Sequence, residues 1–496
     1  MSSQPYDAIV VGSGAGGAAA AYQLALAGLR VVMLEKGDHL PTDGSTLDIR
    51  RVVHQGEFLS QEPWLDGRGR RIVPEEHFNV GGKTKWYGAA LLRFAEHEFA
   101  PDPAHGCRGW PLALQELAPY YEEAERLLGV RIIENEPNLA RILARLQRQS
   151  SGWQAQPMPM GLAADIAAHR AEAAHFDGFA SAAALKGEAE CSFLSLLRSR
   201  SNFRLLVNAE VATLLGSAGD PATVTGVRLT DGRSFSAPHV FLAAGALHSP
   251  RLLSGYLRRT GLDNTLPAAA HVGRHLKLHL LTAMISLSPG IKTDLIRKTT
   301  LLVNERFPHS SVQPLGFDDE LIATLLPRAL PLTVRRLISR RAYGFFLQTE
   351  DGSDARNRVQ DESVSGSLPT LDYDAQRLLP AAREHRAFTR ALQRALARAG
   401  MVSVTRRIGL TGTAHACGSL VCGLSAADSV VDRDARVHGM QGLYVVDGSV
   451  LPRSSRVNPS LTIYAWGLRA GQRVAGQSRD RGTTAQRAAP EAHYAA

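Results

Sequence analysis

Cysteine is scarce: four residues, Cys107, Cys191, Cys417 and Cys422, in a chain of 496. So few in so long a chain exclude a disulfide framework. Cys417 and Cys422 have no second pair of similar spacing, which argues against a metal site, and none is expected. Long apolar runs are missing too; none approaches the roughly 18 residues that a spanning helix needs. The first apolar run is already a strand, with no charged-then-apolar leader before it, so a signal peptide is not expected and a reducing cytoplasm is the default. The formal net charge is +9, but the arginines are scattered, so nucleic acid is not expected as a partner. The local exception runs from Leu321 to Arg341, where Arg328, Arg335-Arg336 and Arg340-Arg341 alternate with leucines. It reads as a basic amphipathic helix broken by Pro327 and Pro331: a cap helix with a solvated face, or a contact for a membrane surface, a partner or a lipidic substrate. There is no internal repeat.

What is present begins at Asp7. Residues 7–17 read DAIVVGSGAGG and residues 31–35 VVMLE: a short apolar strand, a G-x-G-x-x-G turn, an Ala-rich helix, a second apolar strand and an acid. Gly12 permits the tight turn, Gly14 lets the backbone approach a pyrophosphate, and Gly17 lets helix pack on strand. The helix N-terminus, from Ala15, offers free N–H groups to phosphates. Glu35 lies 23 residues after Gly12, near the spacing at which a carboxylate accepts from a ribose hydroxyl. An acid there disfavours a 2′-phosphate, so the ligand expected is FAD or NAD, not NADP. No second such fingerprint follows a strand, so one dinucleotide is expected.

A length of 496 predicts two or more domains, and 44% hydrophobic with 21% charged residues is ordinary globular composition. Further strand signals lie far apart: residues 203–215, a hairpin over 223–236 turning at Asp231-Gly232, residues 239–246 and residues 443–448. Helical stretches lie between them, such as 114–128 and 381–399. The layout predicts an α/β protein. Its Rossmann-like nucleotide domain would be assembled from residues 6–105, 187–285 and 403–476, with an α+β substrate domain inserted as 106–186 and 286–402. The polar, Ala-rich stretch 477–496 reads as a disordered tail.

Several of these segments, in order, resemble the GMC (glucose–methanol–choline) oxidoreductases. Residues 81–88, GGKTKWYG, resemble the family's second glycine-rich motif, and 243–253, AAGALHSPRLL, resemble its AAGAIxSPxLL signature. Residues 272–279, VGRHLKLH, resemble VGxNLxDH, and 415–423, HACGSLVCG, resemble HPxGTxRMG. The block from 443 to 463 resembles LYVxDxS…NPxLTI. The resemblance covers about Tyr6 to Val474. It implies one FAD held by Gly12, Gly14, Ala15, Gly17, Glu35 and Lys36, by Gly81, Gly82, Thr84, Tyr87 and Gly88, by Val211, Ala244 and Gly245, and by Asp447, Gly448, Asn458, Pro459 and Thr462. Two departures stand out: Val421-Cys422 replace the Arg-Met of HPxGTxRMG and Ala416 its Pro. Trp86 stands where some members carry a histidine bonded to the flavin; an indole cannot form that link, so non-covalent FAD is expected.

The implied chemistry is oxidation of an alcohol CH–OH to an aldehyde or ketone, FAD taking the hydride and a histidine the proton. His415 falls on the family's catalytic histidine, with Asn458 as its partner toward the substrate oxygen; by residue type alone, Asn458 also reads as the cap of the last helix. Asp447 reads as a ribityl contact or a turn cap. His271, His275 and His279, four apart, have a metal-like spacing on a helix, but Gly273 and the intervening leucines read as a loop entering a strand. The acceptor expected is oxygen, a quinone or an electron-carrier protein. A flavin-bearing lyase on the same scaffold is the alternative, and a non-catalytic flavin binder would not be expected to keep the His–Asn pair.

Overall fold

The computed structural model describes residues 6–288, 290, 294–327, 329–361 and 367–487. Its first layer is a five-stranded parallel sheet in the order Leu443–Val445, His239–Leu242, Ala8–Val11, Val31–Leu34 and Phe203–Leu206. Ala8–Val11 and Val31–Leu34 are buried along their whole length, as an inner parallel strand covered on both faces must be. The expected discontinuous assembly is therefore visible in the hydrogen bonding: strands some 200 residues apart in the chain stand side by side.

The helix Ala15–Leu26 is Ala-rich, and ten of its residues are buried. It lies between this sheet and the C-terminal helix, Ser460–Arg487. Small residues make the close approach possible: a Cβ on Gly467 would stand 2.4 Å from the Gly16 carbonyl oxygen, and one on Gly471 2.7 Å from that of Ala20. Trp466 donates to the Val445 carbonyl, fastening the last helix to the last strand of the sheet.

The second layer is a six-stranded antiparallel sheet in the order Val402–Arg407, Leu280–Leu287, Ala342–Thr349, Ser310–Pro314, Thr300–Asn304 and Trp153–Pro157. The helix Leu379–Arg398 covers one face, burying Phe388, Leu392 and Leu396 against Met284, Phe345 and Leu347.

Several expectations need correction. The junctions placed at 285/286 and 402/403 cut through Leu280–Leu287 and stand at the start of Val402–Arg407, two strands paired with each other in the second sheet; hydrogen bonding puts both entirely in the inserted layer. The helix Leu114–Leu127, assigned by position to the insert, packs instead on the C-terminal helix, with Tyr121 bonded to Thr462. The last helix continues to Arg487, into the stretch read as a disordered tail, and 488–496 lie outside the described residues. Between Leu321 and Arg341 the chain forms two short helices, Asp319–Leu325 and Leu332–Ser339, separated at the prolines as expected. Leu325, Leu332 and Leu337 are exposed there; Arg328 lies outside the described residues. Among the described residues no helix is long and apolar enough to cross a membrane.

Candidate active site

A cavity of about 760 Å³ runs from the N-terminus of the first helix to the face of the second sheet. At its nucleotide end Gly12, at φ +102°, takes a backbone conformation that L side chains rarely adopt, and a Cβ there would stand 2.4 Å from the Ala243 carbonyl oxygen. The turn it makes brings Gly14 to the cavity, where a Cβ would meet no protein atom within 4 Å. That open space, at the positive end of a helix dipole, suits an anionic pyrophosphate. Gly17 does not line the cavity; it packs on the Gly12 carbonyl, the helix-to-strand role expected of it.

Glu35 ends the second strand and is buried. One carboxylate oxygen accepts from the Ser13 N–H (3.0 Å) and hydroxyl (2.6 Å), the other from the Gly37 N–H (3.0 Å). Burial raises its pKa, against these hydrogen bonds. Two oxygens with three donors leave one lone pair for a ribose hydroxyl. Ser13, which the sequence reading did not single out, also accepts from the Gly81 N–H (3.0 Å), tying the two glycine motifs together. Lys36 lines the cavity, but its ammonium pairs with Glu62 and Glu210.

The second glycine motif supplies Gly82, Thr84, Tyr87 and Gly88 to the wall; among the described residues Gly81 stands behind it. The Thr84 hydroxyl donates to the Gly81 carbonyl (2.6 Å), and that of Tyr87 to the Gly187 carbonyl, so both side chains brace the motif. Trp86 stacks on His77, ring centroids 4.5 Å apart, and donates to Asn79 (2.9 Å). Val211, Ala244, Gly245, Gly448 and Pro459 line the cavity. Thr462 does not: its hydroxyl is turned to Tyr121, 2.7 Å away.

Asp447 lines the cavity and is bonded to both neighbouring segments. One of its oxygens accepts from the Gly245 N–H (2.9 Å) and the Ser249 hydroxyl, the other from the N–H and hydroxyl of Ser449 (2.9 and 2.5 Å). The carboxylate caps the turn Gly448–Val450 and joins two strand ends through these four protein donors.

At the far end His415 and Asn458 meet, Asn458 Nδ2 lying 3.2 Å from His415 Nε2. They are 43 residues apart in sequence and both line the cavity. The Asn458 oxygen accepts from Gln313, so the side chain spans two partners and is not the cap of the last helix, which begins at Ser460. Burial first, then neighbouring His279, Lys298 and Lys83, push the His415 pKa well below the ordinary histidine value. Its Nδ1 is buried without a protein partner.

His279 stands edge-on to His415, centroids 5.1 Å apart, and donates to the Ser455 carbonyl (2.8 Å). His271 and His275 turn instead to Ala427 and Ser353, and positive φ at His275 and His279 breaks any helix through the three. The substrate side carries Leu315, Phe317, Phe346 and a buried Lys298–Asp177 ion pair (2.9 Å), none of them foreseen. They come from the insert, where no local pattern marks a cavity wall.

A different cluster, His105, Cys107 and His309, holds its potential ligand atoms within 4.8 Å of one another. The two imidazoles lie face to face, centroids 3.6 Å apart and 13° between planes, an arrangement in which their nitrogens cannot converge on one ion. His309 is bonded to Asp102 and Glu350, and His105 to the Glu350 carbonyl. Glu350 in turn holds Arg453 through two bonds (2.8 and 2.7 Å). This is a buried charge network.

Comparison with known proteins gives the family. A family model described as FAD dependent oxidoreductase matches residues 7–285, and one described as GMC oxidoreductase matches 361–467. The chain is 28% identical to 6'''-hydroxyparomomycin C oxidase of Streptomyces lividus, over 95% of this chain and 91% of that one. It is 24% identical to 2-methyl-1,2-propanediol dehydrogenase of Mycolicibacterium austroafricanum, over 96% of each. In fold it resembles pyridoxine 4-oxidase from Mesorbium loti (TM-score 0.65, 16% identity, 94% of this chain and 99% of that one). It also resembles a formate oxidase variant from Aspergillus oryzae (TM-score 0.69, 15% identity, 97% and 100%). With the glycine turn, the Glu35 carboxylate and the open pyrophosphate space in place, the chain belongs to the GMC family of FAD-dependent oxidoreductases, and its cofactor is FAD.

Proposed function

We propose that the protein oxidises an alcohol to an aldehyde or ketone, with His415 as base and Asn458 as its partner. The observation that carries this is the approach of the two side chains, Nε2 to Nδ2 at 3.2 Å, on one wall of the FAD cavity. Bound FAD supplies the hydride acceptor. The chain supplies the rest. His415, held neutral by burial, takes the hydroxyl proton at Nε2. The Asn458 amide donates to the oxygen as negative charge develops on it. A substrate hydroxyl entering between the two would replace their mutual hydrogen bond. Leu315, Phe317 and Phe346 give that end an apolar lining. The relatives' names support alcohols as the substrate class, among them a diol and long-chain alcohols. The choice among sugar, polyol and hydrophobic alcohols stays with a screen.

With one dinucleotide fingerprint, at Gly12 to Glu35, electrons leave to oxygen, a quinone or a carrier protein and not to NAD. The test is anaerobic mixing of holoenzyme with a panel of primary, secondary and sugar alcohols, followed at the flavin band near 450 nm, roughly. Bleaching supports oxidation. Turnover without bleaching means a lyase, and no response to any alcohol overturns the assignment. H415A should keep FAD and slow bleaching by about 10²–10⁴-fold; a near-native rate places the base elsewhere. Fast reoxidation of reduced enzyme by NAD would overturn the acceptor argument.

A further inference from the structure

The chain leading into Asn458 is held by a polar strip on the second sheet. Ser311 and Gln313 on the strand Ser310–Pro314, and Gln348 on its neighbour Ala342–Thr349, are fully buried, each with 0% exposure. Ser311 stands opposite Gln348 in register, and Gln313 opposite Phe346, whose ring faces His415 edge-on at 6.2 Å. The Ser311 hydroxyl and the Gln348 amide both donate to the Arg456 carbonyl, each at 2.6 Å. Two residues further on, Gln313 Nε2 donates to Asn458 Oδ1. Its own carbonyl oxygen is buried with no partner, an arrangement that costs stability unless something is gained.

The gain lies in direction. A primary amide is a donor at one end and an acceptor at the other. Once Gln313 supplies a donor to Asn458 Oδ1, the Asn458 NH₂ must face the opposite way, toward His415 Nε2. A donor there requires Nε2 to be the unprotonated nitrogen, with the hydrogen on Nδ1. If Asn458 were reversed, its oxygen would face Nε2 and call for a hydrogen on it, which no base can carry. We propose that Gln313 is a positioning residue that fixes the Asn458 amide with its donor toward the reacting oxygen and so keeps His415 Nε2 available as the base. This rests on the reading of His415 and Asn458 as the catalytic pair.

The two ideas can fail separately. The direct readout is the His415 tautomer in ¹⁵N-histidine-labelled, FAD-loaded protein, with the His415 signals identified by their loss in H415Q. Wild type should show hydrogen on Nδ1. An ionised Gln313→Glu can only accept, so Asn458 should turn over and the hydrogen should move to Nε2; a buried, protonated Glu would still donate, and Q313L, which cannot, is then the deciding variant. The flipped amide would then also stabilise the imidazolium, moving the acid limb of flavin reduction to higher pH. With the best alcohol from the panel above, Q313E should slow flavin reduction roughly 10²-fold, the scale of a lost oxyanion donor, with KM little changed. It should add no further loss in an N458A background, because Gln313 acts through Asn458.

Should Q313E fail to retain FAD, Q313L removes the donor without adding charge and should give a mixture of tautomers with a smaller rate loss. An unchanged Nδ1–H tautomer in both variants overturns the proposal, as does a Q313E loss that persists undiminished without Asn458. A near-native rate in N458A instead overturns the catalytic pair on which it rests.

Discussion

Two glycines two positions apart, Gly14 and Gly16, should respond in opposite ways to the same added methyl group. At Gly14 the backbone lies at φ −68°, ψ −169°, an extended conformation open to alanine. A Cβ there meets no protein atom within 4 Å. In the apoprotein Gly14→Ala should therefore be neutral, or stabilising by about 0.4–1 kcal/mol through the unfolded chain. Its cost should fall on FAD, because the methyl fills the space open to the pyrophosphate. Overpacking of about 1–3 kcal/mol converts to a loss of affinity of about 5- to 150-fold. At Gly16 the Cβ would stand 1.6 Å from the Val446 carbonyl oxygen, a backbone atom that no rotamer change can move. The helix and the segment after Leu443–Val445 would have to part, at a cost of about 3 kcal/mol to the apoprotein itself. Urea unfolding of the two apoproteins and fluorescence titration with FAD separate the effects. A G14A protein that binds FAD like wild type, or one whose apoprotein falls as far as G16A, would refute placing the pyrophosphate against Gly14.

Two further outcomes follow from buried charge. The His415 pKa is depressed, so the neutral base should persist as pH falls through the ordinary histidine value of 6.5; the rate of flavin reduction should hold there and fall only at lower pH, and a limb at or above 6.5 would contradict it. Burial opposes ionisation of Glu350, but His309 and Arg453 hold its pKa well below the ordinary 4.5. Its contribution is then complete above that value and lost as pH falls through the folded pKa. Glu350→Gln leaves Arg453 buried without its counter-charge and should cost about 3–5 kcal/mol in urea unfolding at neutral pH; a loss under about 1 kcal/mol would sink the network as a structural element.

The nucleotide sheet was legible because its signals are local. A strand, a glycine turn, an Ala-rich helix and an acid lie within residues 7–35, and each is forced by contacts that neighbours in sequence make. The second sheet was not legible. Trp153–Pro157 pairs with Thr300–Asn304, and Leu280–Leu287 with Val402–Arg407, over separations of more than a hundred residues. The segment VSVTRR shows only a weak alternation, since five of its six residues are exposed at a sheet edge. Asp447 shows how a motif can point to a place and leave the role open. Residue type left a ribityl contact and a turn cap both open, and the following Gly-Ser offers the turn that it caps. Gln313 carried no signal at all, because its partner lies 145 residues away.

The His415–Asn458 pair is held from both sheets at once. His415 lies in the chain that returns from the insert, its ring edge-on to Phe346 of the second sheet. Asn458 stands two residues before the last helix, Ser460–Arg487, held in turn by Gln313 of the insert. The approach to Asn458 passes through Arg453, Ser454 and Ser455, which donate to Glu350, Asp351 and Glu98. Glu350 directly follows the strand Ala342–Thr349 of the second sheet. Ser455 is also held at φ +68°, a conformation that costs energy for serine and persists only where surrounding bonds impose it. A side chain placed by bonds to two layers moves when either layer moves. Substitutions at the sheet junction, distant from FAD, should therefore act on the His415–Asn458 distance before they act on cofactor binding.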